Sequence, residues 1–267
     1  MSLDDRFQRT QGVLSPDAIQ RLSKIHVVLA GVGGAGGQAA VDLARLGFGY
    51  LTLADFDVYE RHNINRQVGC FESTLGQRKI DVVGRMCLDI NPNLKLRKVP
   101  EGITEANSRQ LLAASEFPAP EFVLEAIDIA GAAAKGHLHR ACREGNVTVM
   151  TGLMLGFGAS LLVFAPDAPP YEQLFLSADG RIDLSTIVPR LGSYFVPEFI
   201  DACFAGRGHA PTCVIGATMA SALMVSEVMR GVLLGKHAMT VWPDYVYVDL
   251  FDHVYVRGNL AAARAAG

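Results

Sequence analysis

Ile25-His26-Val27-Val28-Leu29-Ala30-Gly31-Val32-Gly33-Gly34-Ala35-Gly36-Gly37 runs from an apolar stretch straight into a cluster of glycines. Residues 25–30 have the length and composition of a buried strand, and residues 38–46 carry apolar side chains at the spacing of a helix packed on a sheet. Between them the pattern Gly31-x-Gly33-x-x-Gly36 permits a tight turn, and the N–H groups at the following helix start face an anionic phosphate. Strand, turn and helix together open a βαβ unit. Residues 50–54 form its second strand, which delivers Asp55 to the carboxyl edge of the sheet, where open α/β folds bind their ligands. An acid about twenty residues beyond the glycines binds ribose hydroxyls in this geometry, and Asp55 holds that place. Asp57 is either a second ligand or a solvated turn acid.

The alternation continues through a helix over 73–90 ended by Asn91-Pro92-Asn93, a strand over 94–99, a helix over 105–114 and a strand over 122–126 leading to Asp128. A helix over 130–143 and strands over 146–151 and 159–164 follow. This pattern predicts an α/β fold with a doubly wound, Rossmann-like, mainly parallel sheet. Pro166, Pro169 and Pro170 introduce a stretch to about residue 211 with few clear elements, read as a crossover or lid. A helix over 213–234 and an antiparallel hairpin of 245–250 and 253–257 form a C-terminal antiparallel extension. Residues 1–267 thus read as a single domain: a nucleotide-binding core (1–164), a crossover (165–212) and a C-terminal helix and hairpin (213–259). The alanine-rich tail from Leu260 reads as frayed.

With 267 residues, 50% hydrophobic and 19% charged, the chain can bury a full core. A formal charge of −3 and a pI near 6.2 give no general drive toward nucleic acid or anionic membrane. The most apolar stretch, residues 213–235, is interrupted by Glu227 and Arg230 and reads as a core or interface helix instead of a membrane span. The first residues, Met1-Ser2-Leu3-Asp4-Asp5-Arg6, carry no secretion signal, so a cytoplasmic protein is expected. Five scattered cysteines without a Cys-x-x-Cys pair argue against both a disulfide framework and a cysteine-built zinc site.

The polar run Asn63-Ile64-Asn65-Arg66-Gln67, with Lys79 beyond it, separates ATP from NAD as the expected ligand. Arginine's planar fork suits phosphate oxygens, and the amides of Asn63, Asn65 and Gln67 fix orientation without adding charge. Lys79, near a helix start, is placed to reach the β- and γ-phosphates or else is a solvated helix lysine. Asp128 ends a strand on the same edge, where a carboxylate beside a triphosphate calls for a divalent cation between them, Mg²⁺ being the natural choice. The plainer role for Asp128 is to cap the helix that follows.

At this point the residues resemble a family: the adenylyltransferases that include ThiF, MoeB and the ubiquitin-activating enzymes. The resemblance covers residues 6–164 and rests on Arg6-Phe7-Gln8-Arg9, the turn with Gly31, Gly33, Gly34 and Gly36, Asp55-Phe56-Asp57, Asn63 to Gln67, Gly76-Gln77-Arg78-Lys79 and Asp128. It implies an enzyme that binds Mg-ATP, adenylates a carboxylate and releases pyrophosphate. It also implies a homodimer in which the N-terminal arginine pair reaches the phosphates across the interface, with Arg9 as the finger and Arg66 as its counterpart in the site. Catalytic roles then fall to Arg9, Arg66, Lys79 and Asp128, the last as metal ligand.

Departures from the family pattern are also legible. Pro170-Tyr171-Glu172-Gln173 stands where many relatives have a zinc-binding cysteine pair, so structural zinc is expected to be absent, and Ile129 replaces a frequent asparagine. Cys203, in the crossover, is the cysteine placed for a thioester or persulfide after adenylation, against the plainer reading of a half-buried thiol; Cys213 reads as a packing position and His209 as an exposed loop histidine. The partner the resemblance implies is a ubiquitin-like or sulfur-carrier protein with a flexible C-terminal tail. Arg6-Phe7, Asn63 to Gln67 and Glu125-Ala126-Ile127-Asp128 also resemble the tRNA threonylcarbamoyladenosine dehydratases, which make tRNA the second candidate. A non-catalytic scaffold subunit and a nicotinamide dehydrogenase are the remaining alternatives.

Overall fold

In the computed structural model, residues 5–128, 131–170, 188, 191–204 and 209–259 are described. Eight strands, β1 (His26–Ala30), β2 (Tyr50–Ala54), β3 (Lys95–Val99), β4 (Phe122–Glu125), β5 (Thr148–Leu155), β6 (Gly158–Phe164), β7 (Asp244–Asp249) and β8 (Val254–Asn259), form one sheet in the order β3-β2-β1-β4-β5-β6-β7-β8. Strands β1 to β5 pair in parallel, and β5 to β8 pair antiparallel. The doubly wound sheet with an antiparallel C-terminal extension is therefore present.

The helices are α1 (Pro16–Leu22), α2 (Gly34–Leu46), α3 (Lys79–Ile90), α4 (Ala132–Glu144), α5 (Pro197–Phe204) and α6 (Val214–Leu234). Both faces of the sheet are apolar because both are covered. In β1, Val27 and Leu29 join the core under α2 and α6, whereas Val28 and Ala30 join the core under α4. Helix α6 is long and apolar enough to span a membrane, but half of its most apolar window is buried in this fold. Its polar groups are used internally: Ser221 donates to Asp42 Oδ2 at 2.7 Å, and Glu227 accepts the buried N–H of Thr240.

Several boundaries differ from the sequence expectations, each for a local reason. The helix expected over 73–90 begins only at Lys79, because Gly76 has a φ of 77° and Arg78 is extended; before it Glu72–Thr74 make one 3-10 turn. No helix spans 105–114, where Asn107 accepts the N–H of Thr104 and donates to Gly102 O, both at 2.8 Å, leaving a single 3-10 turn at Gln110–Leu112. Asn146 adopts a φ of 56°, so β5 starts at Thr148, and the turn at Gly156-Phe157 folds β6 back antiparallel. The Asp128 cap is also corrected, since α4 starts at Ala132 with Gly131 as its cap and no side-chain capping bond.

Two helices arise in stretches read as irregular. In α1, Ser15 Oγ accepts Ala18 N–H at 3.2 Å and Pro16 occupies the first turn, a start signal that Ser15-Pro16-Asp17 carries openly. Helix α5 lies within the expected crossover; residues 171–187, 189–190 and 205–208 of that segment, and the tail 260–267, lie outside the described residues.

At the opposite sheet edge from the glycine turn, His26 is buried, donating through Nδ1 to Pro118 O (2.7 Å) and accepting at Nε2 from Thr52 Oγ1 (2.8 Å). Arg97 Nε donates to the same hydroxyl. Burial, with Arg97 nearby, pushes the His26 pKa down to about 4 from its ordinary 6.5. The folded state thus binds fewer protons than the unfolded one between those values, and stability is lost as pH falls through that window. The expected slope is about 1.4 kcal/mol per pH unit where it is steepest. Urea denaturation from pH 7 to pH 4.5 checks this; a His26→Gln variant should flatten that slope.

Candidate functional site

Strand β1 is flanked by β2 on one side and β4 on the other, so the loops leaving β1 and β4 diverge and open a crevice between them. The glycine turn forms one wall. Gly31 has a φ of 90°, and a Cβ there would stand 2.5 Å from Ala126 O in the loop leaving β4; a Cβ on Gly36 would collide with Gly31 O. Gly34 is packed against Met154 and Ala217. Gly33 differs, since a Cβ there would meet only the Gln67 amide, at 3.6 Å, and as the cap of α2 it makes no side-chain bond. The first N–H groups of α2 therefore lack a capping side chain on the open side of the turn, which is what an incoming phosphate uses.

Asp55 is buried at the exit of β2 and braces this turn: Oδ2 accepts Val32 N–H at 2.7 Å and Oδ1 accepts Asp57 N–H at 2.8 Å. Burial raises its pKa, against the lowering effect of those two donors. Lys79 opens α3 with its side chain only 7% exposed, and its ammonium lies 2.8 Å from Asp57 Oδ2. It is therefore not the solvated lysine of the plainer reading, and Asp57 is its partner.

The polar run sorts into different tasks. Asn63 is buried and internal: its Oδ1 accepts Glu60 N–H at 3.0 Å and its carbonyl accepts from Arg66 and Gln67. Asn65 is exposed, donating to Thr212 O at 3.1 Å and accepting from Arg66 Nη1 at 2.8 Å, so it links Arg66 to the segment entering α6. Arg66 Nη1 also reaches His62 O at 3.1 Å, while its Nε is buried without a partner, as is Oε1 of Gln67, the residue whose Nε2 lies nearest Gly33. Burial lowers the Arg66 pKa, and the charge of Asp128 counters it, which puts the two within electrostatic reach across the crevice. Asp128 is exposed at the exit of β4.

Arg9 is not among these residues. Phe7 sits on Gly47 at the far end of α2, and Arg6 Nη1 donates to Asn91 Oδ1 at 3.0 Å beyond the far end of α3. The exposed Arg9 is thus at the end of both helices opposite to Gly34 and Lys79. Cys203, on α5, is half-buried; its pKa is raised by burial and further by the charge of Asp128. Cys213 caps α6 in extended backbone and donates its thiol to Gly156 O. His209 is exposed. Tyr171, Glu172 and Gln173, where relatives place zinc ligands, lie outside the described residues.

The ligands implied fit what is present. An uncapped helix start, the space beside Gly33 and the orphaned Gln67 Oε1 suit a nucleotide with both phosphate and donor groups. For Mg²⁺, Asp128 is the exposed acid at the exit of β4, and among the described residues no group of three or more His, Cys, Asp or Glu gathers to hold a metal. Magnesium in nucleotide sites needs no more, because one or two carboxylates hold it together with the phosphates.

Sequence reasoning missed a buried charged group in the strand that leads to Asp128. Glu125, the last residue of β4, is fully buried, its Oε1 2.8 Å from Lys135 Nζ and its Oε2 2.8 Å from Thr151 Oγ1. Burial raises its pKa, but the charges of Lys135 and His139 outweigh that and hold the carboxyl below its ordinary value. Apart from its place in Glu125-Ala126-Ile127-Asp128, its signal in the sequence is an acid ending an apolar strand.

The profile of the ThiF family matches residues 7–257. Among curated proteins, the chain is 31% identical over 152 residues to tRNA threonylcarbamoyladenosine dehydratase of Haemophilus influenzae, covering 56% of each chain. It is 29% identical to the SAMP-activating enzyme E1 of Haloferax volcanii, covering 67% of this chain and 66% of that one. To the sulfur carrier protein ThiS adenylyltransferase of Escherichia coli it is 29% identical over 59% of each. The chain thus spans between about half and two thirds of the length of these relatives. Among solved structures, E. coli MccB with ATP has a TM-score of 0.73 at 18% identity, covering 97% of this chain and 72% of MccB. PaaA gives 0.69 at 18%, with 96% and 82% covered. At that identity the likeness concerns the fold alone, an MccB-like Rossmann architecture.

Proposed function

The chain belongs to the ThiF family, and from that premise we propose that it binds Mg-ATP in the crevice, adenylates a carboxylate and releases pyrophosphate. What supports this reading is the coupling of Arg66 to the charge of Asp128 and of Lys79 to Asp57 and Asp55, the acid that braces the glycine turn, a set that a nicotinamide dehydrogenase would leave without a task. In this reading the start of α2 and Gly33 receive the phosphates, Asp55 and Asp57 face the ribose, and Asn63, through the loop it builds, together with Asn65 and Gln67 orients Arg66. Arg66 and Lys79 meet the charge that builds on the α-phosphoryl group and the leaving pyrophosphate, a preorganised arrangement that lowers the barrier. Asp128 would hold Mg²⁺, which would supply neutralisation of the phosphate charge when bound. The incoming carboxylate is the nucleophile, so no side chain of the enzyme need be one.

The acceptor is the C-terminal glycine of a ubiquitin-like or sulfur-carrier protein, whose flexible tail fits an open edge. The similarity to the SAMP-activating and ThiS-adenylylating relatives supports this choice. The enzyme acts as a cytoplasmic homodimer, a setting in keeping with five free cysteines. A carboxylate on modified tRNA is the second reading, favoured by the 31% identity to the Haemophilus dehydratase and by the resemblance carried by Glu125-Ala126-Ile127-Asp128.

Calorimetric titration with Mg-ATP, and with NAD in parallel, tests the premise; heat with Mg-ATP alone is expected, and binding of NAD alone would refute the reading. Pyrophosphate release with a tail-bearing carrier protein or with tRNA then separates the two acceptors. Binding without turnover on either would favour a scaffold subunit.

A further inference from the structure

The buried Glu125 group has no part in the chemistry above. Lys135 is only 2% exposed and Glu125 not at all, so both charges are fully withdrawn from water. A buried ion pair gives little net stability over apolar residues of the same volume, so the needs of the core do not account for this one. Its position does. Oε1 accepts both Lys135 Nζ and the backbone N–H of Ile127, each at 2.8 Å, and Lys135 stands in the first turn of α4. The Ala126-Ile127 peptide so held is the one that closes on the glycine turn, since a Cβ on Gly31 would stand 2.5 Å from Ala126 O and 3.0 Å from Ile127 N; the preceding N–H, that of Ala126, donates to Ala30 O at 2.8 Å. One carboxylate thus joins the end of β4, the start of α4 and, through a single peptide unit, the opposite wall of the crevice. Thr151 from β5 fixes its other oxygen.

We propose that Glu125 and Lys135 are positioning residues that set the Asp128 carboxylate at a fixed distance from the glycine turn, and so fix where a divalent cation sits against a bound triphosphate. The inference rests on the adenylylation reading, and neither residue touches the nucleotide. Removing the Lys135 charge unties the end of β4 from the start of α4, and the loss falls on the metal, leaving the contacts of the glycine turn with phosphate in place.

Mn²⁺ binding to the full chain at saturating ATP, followed by electron paramagnetic resonance, tests this, with metal-free ATP binding and thermal unfolding measured alongside. Lys135→Met is expected to weaken Mn²⁺ binding by about tenfold or more, the usual effect of losing a group that orients a metal ligand. Lys135→Arg keeps the charge and should restore most of the affinity, and metal-free ATP binding should be unchanged in both. Because Lys135→Met leaves a buried carboxylate without its lysine and risks unfolding, the double variant Glu125→Gln/Lys135→Met carries the same expectation. Wild-type Mn²⁺ affinity in a folded Met variant overturns the inference while leaving the adenylylation reading standing. Failure of the unaltered chain to bind Mn²⁺ with ATP overturns that reading, and this inference falls with it.

Discussion

Arg66→Ala is expected to abolish acceptor-dependent pyrophosphate release, by about 10³-fold in kcat, while the protein remains folded. The two halves of that expectation have separate grounds. The loop carrying Arg66 is built without its guanidinium: Asn63 supplies the carbonyl that accepts Arg66 and Gln67 N–H, and its side chain closes the turn on Glu60. Alanine removes two partly exposed bonds, to His62 O and Asn65 Oδ1, and also a buried Nε that has no partner. The stability change should stay within about 1 kcal/mol, the usual net value of such bonds. What is lost is a cation at the crevice edge facing Asp128, and a phosphoryl transfer site depends on such preorganised charge. Near-normal pyrophosphate release by a folded Arg66→Ala variant would refute the role. A large rise in KM for ATP with kcat preserved would place Arg66 in ground-state binding.

Much of this crevice was legible because the ligand edge of an open α/β sheet is written in short, local signals. The apolar strand 25–30, the glycines after it and the acid ending the next strand each state their position in a few residues. Lys79 was found for its charge, but its burial was not foreseen, since the partner that permits it, Asp57, lies 22 residues earlier across a turn. The same limit applies to Asn65, whose contact with Thr212 is set by α6 packing on α2 and by nothing near it in sequence. Glu125 and Lys135 escaped for a stronger reason: an acid in a buried strand and a lysine in an alanine-rich helix are each ordinary, and only the fold makes them one group. The expected helix over 105–114 failed on one side chain, Asn107, that outcompetes the helix for the backbone.

The second large effect concerns Arg9, and it follows from where the chain leaves that residue. Helix α2 has 13 residues and so runs about 20 Å, with Gly34 at the crevice and Phe7 packed on Gly47 at the other end. An arginine two residues from Phe7 cannot reach phosphates held at Gly33 in the same chain. If Arg9 is the finger that the resemblance implies, it serves the crevice of a second copy. Arg9→Ala and Arg66→Ala should then each fall by about 10²-fold or more alone, the loss expected for a cation at a developing charge. Equal mixing with subunit exchange should return about a quarter of the wild-type rate, because half of the dimers are mixed and each mixed dimer rebuilds one of its two crevices. Recovery of that size requires the two arginines of one working site to come from different chains, which no arrangement within a single chain can mimic. Full activity of Arg9→Ala alone would remove the finger, and no recovery after proven exchange would remove the shared site.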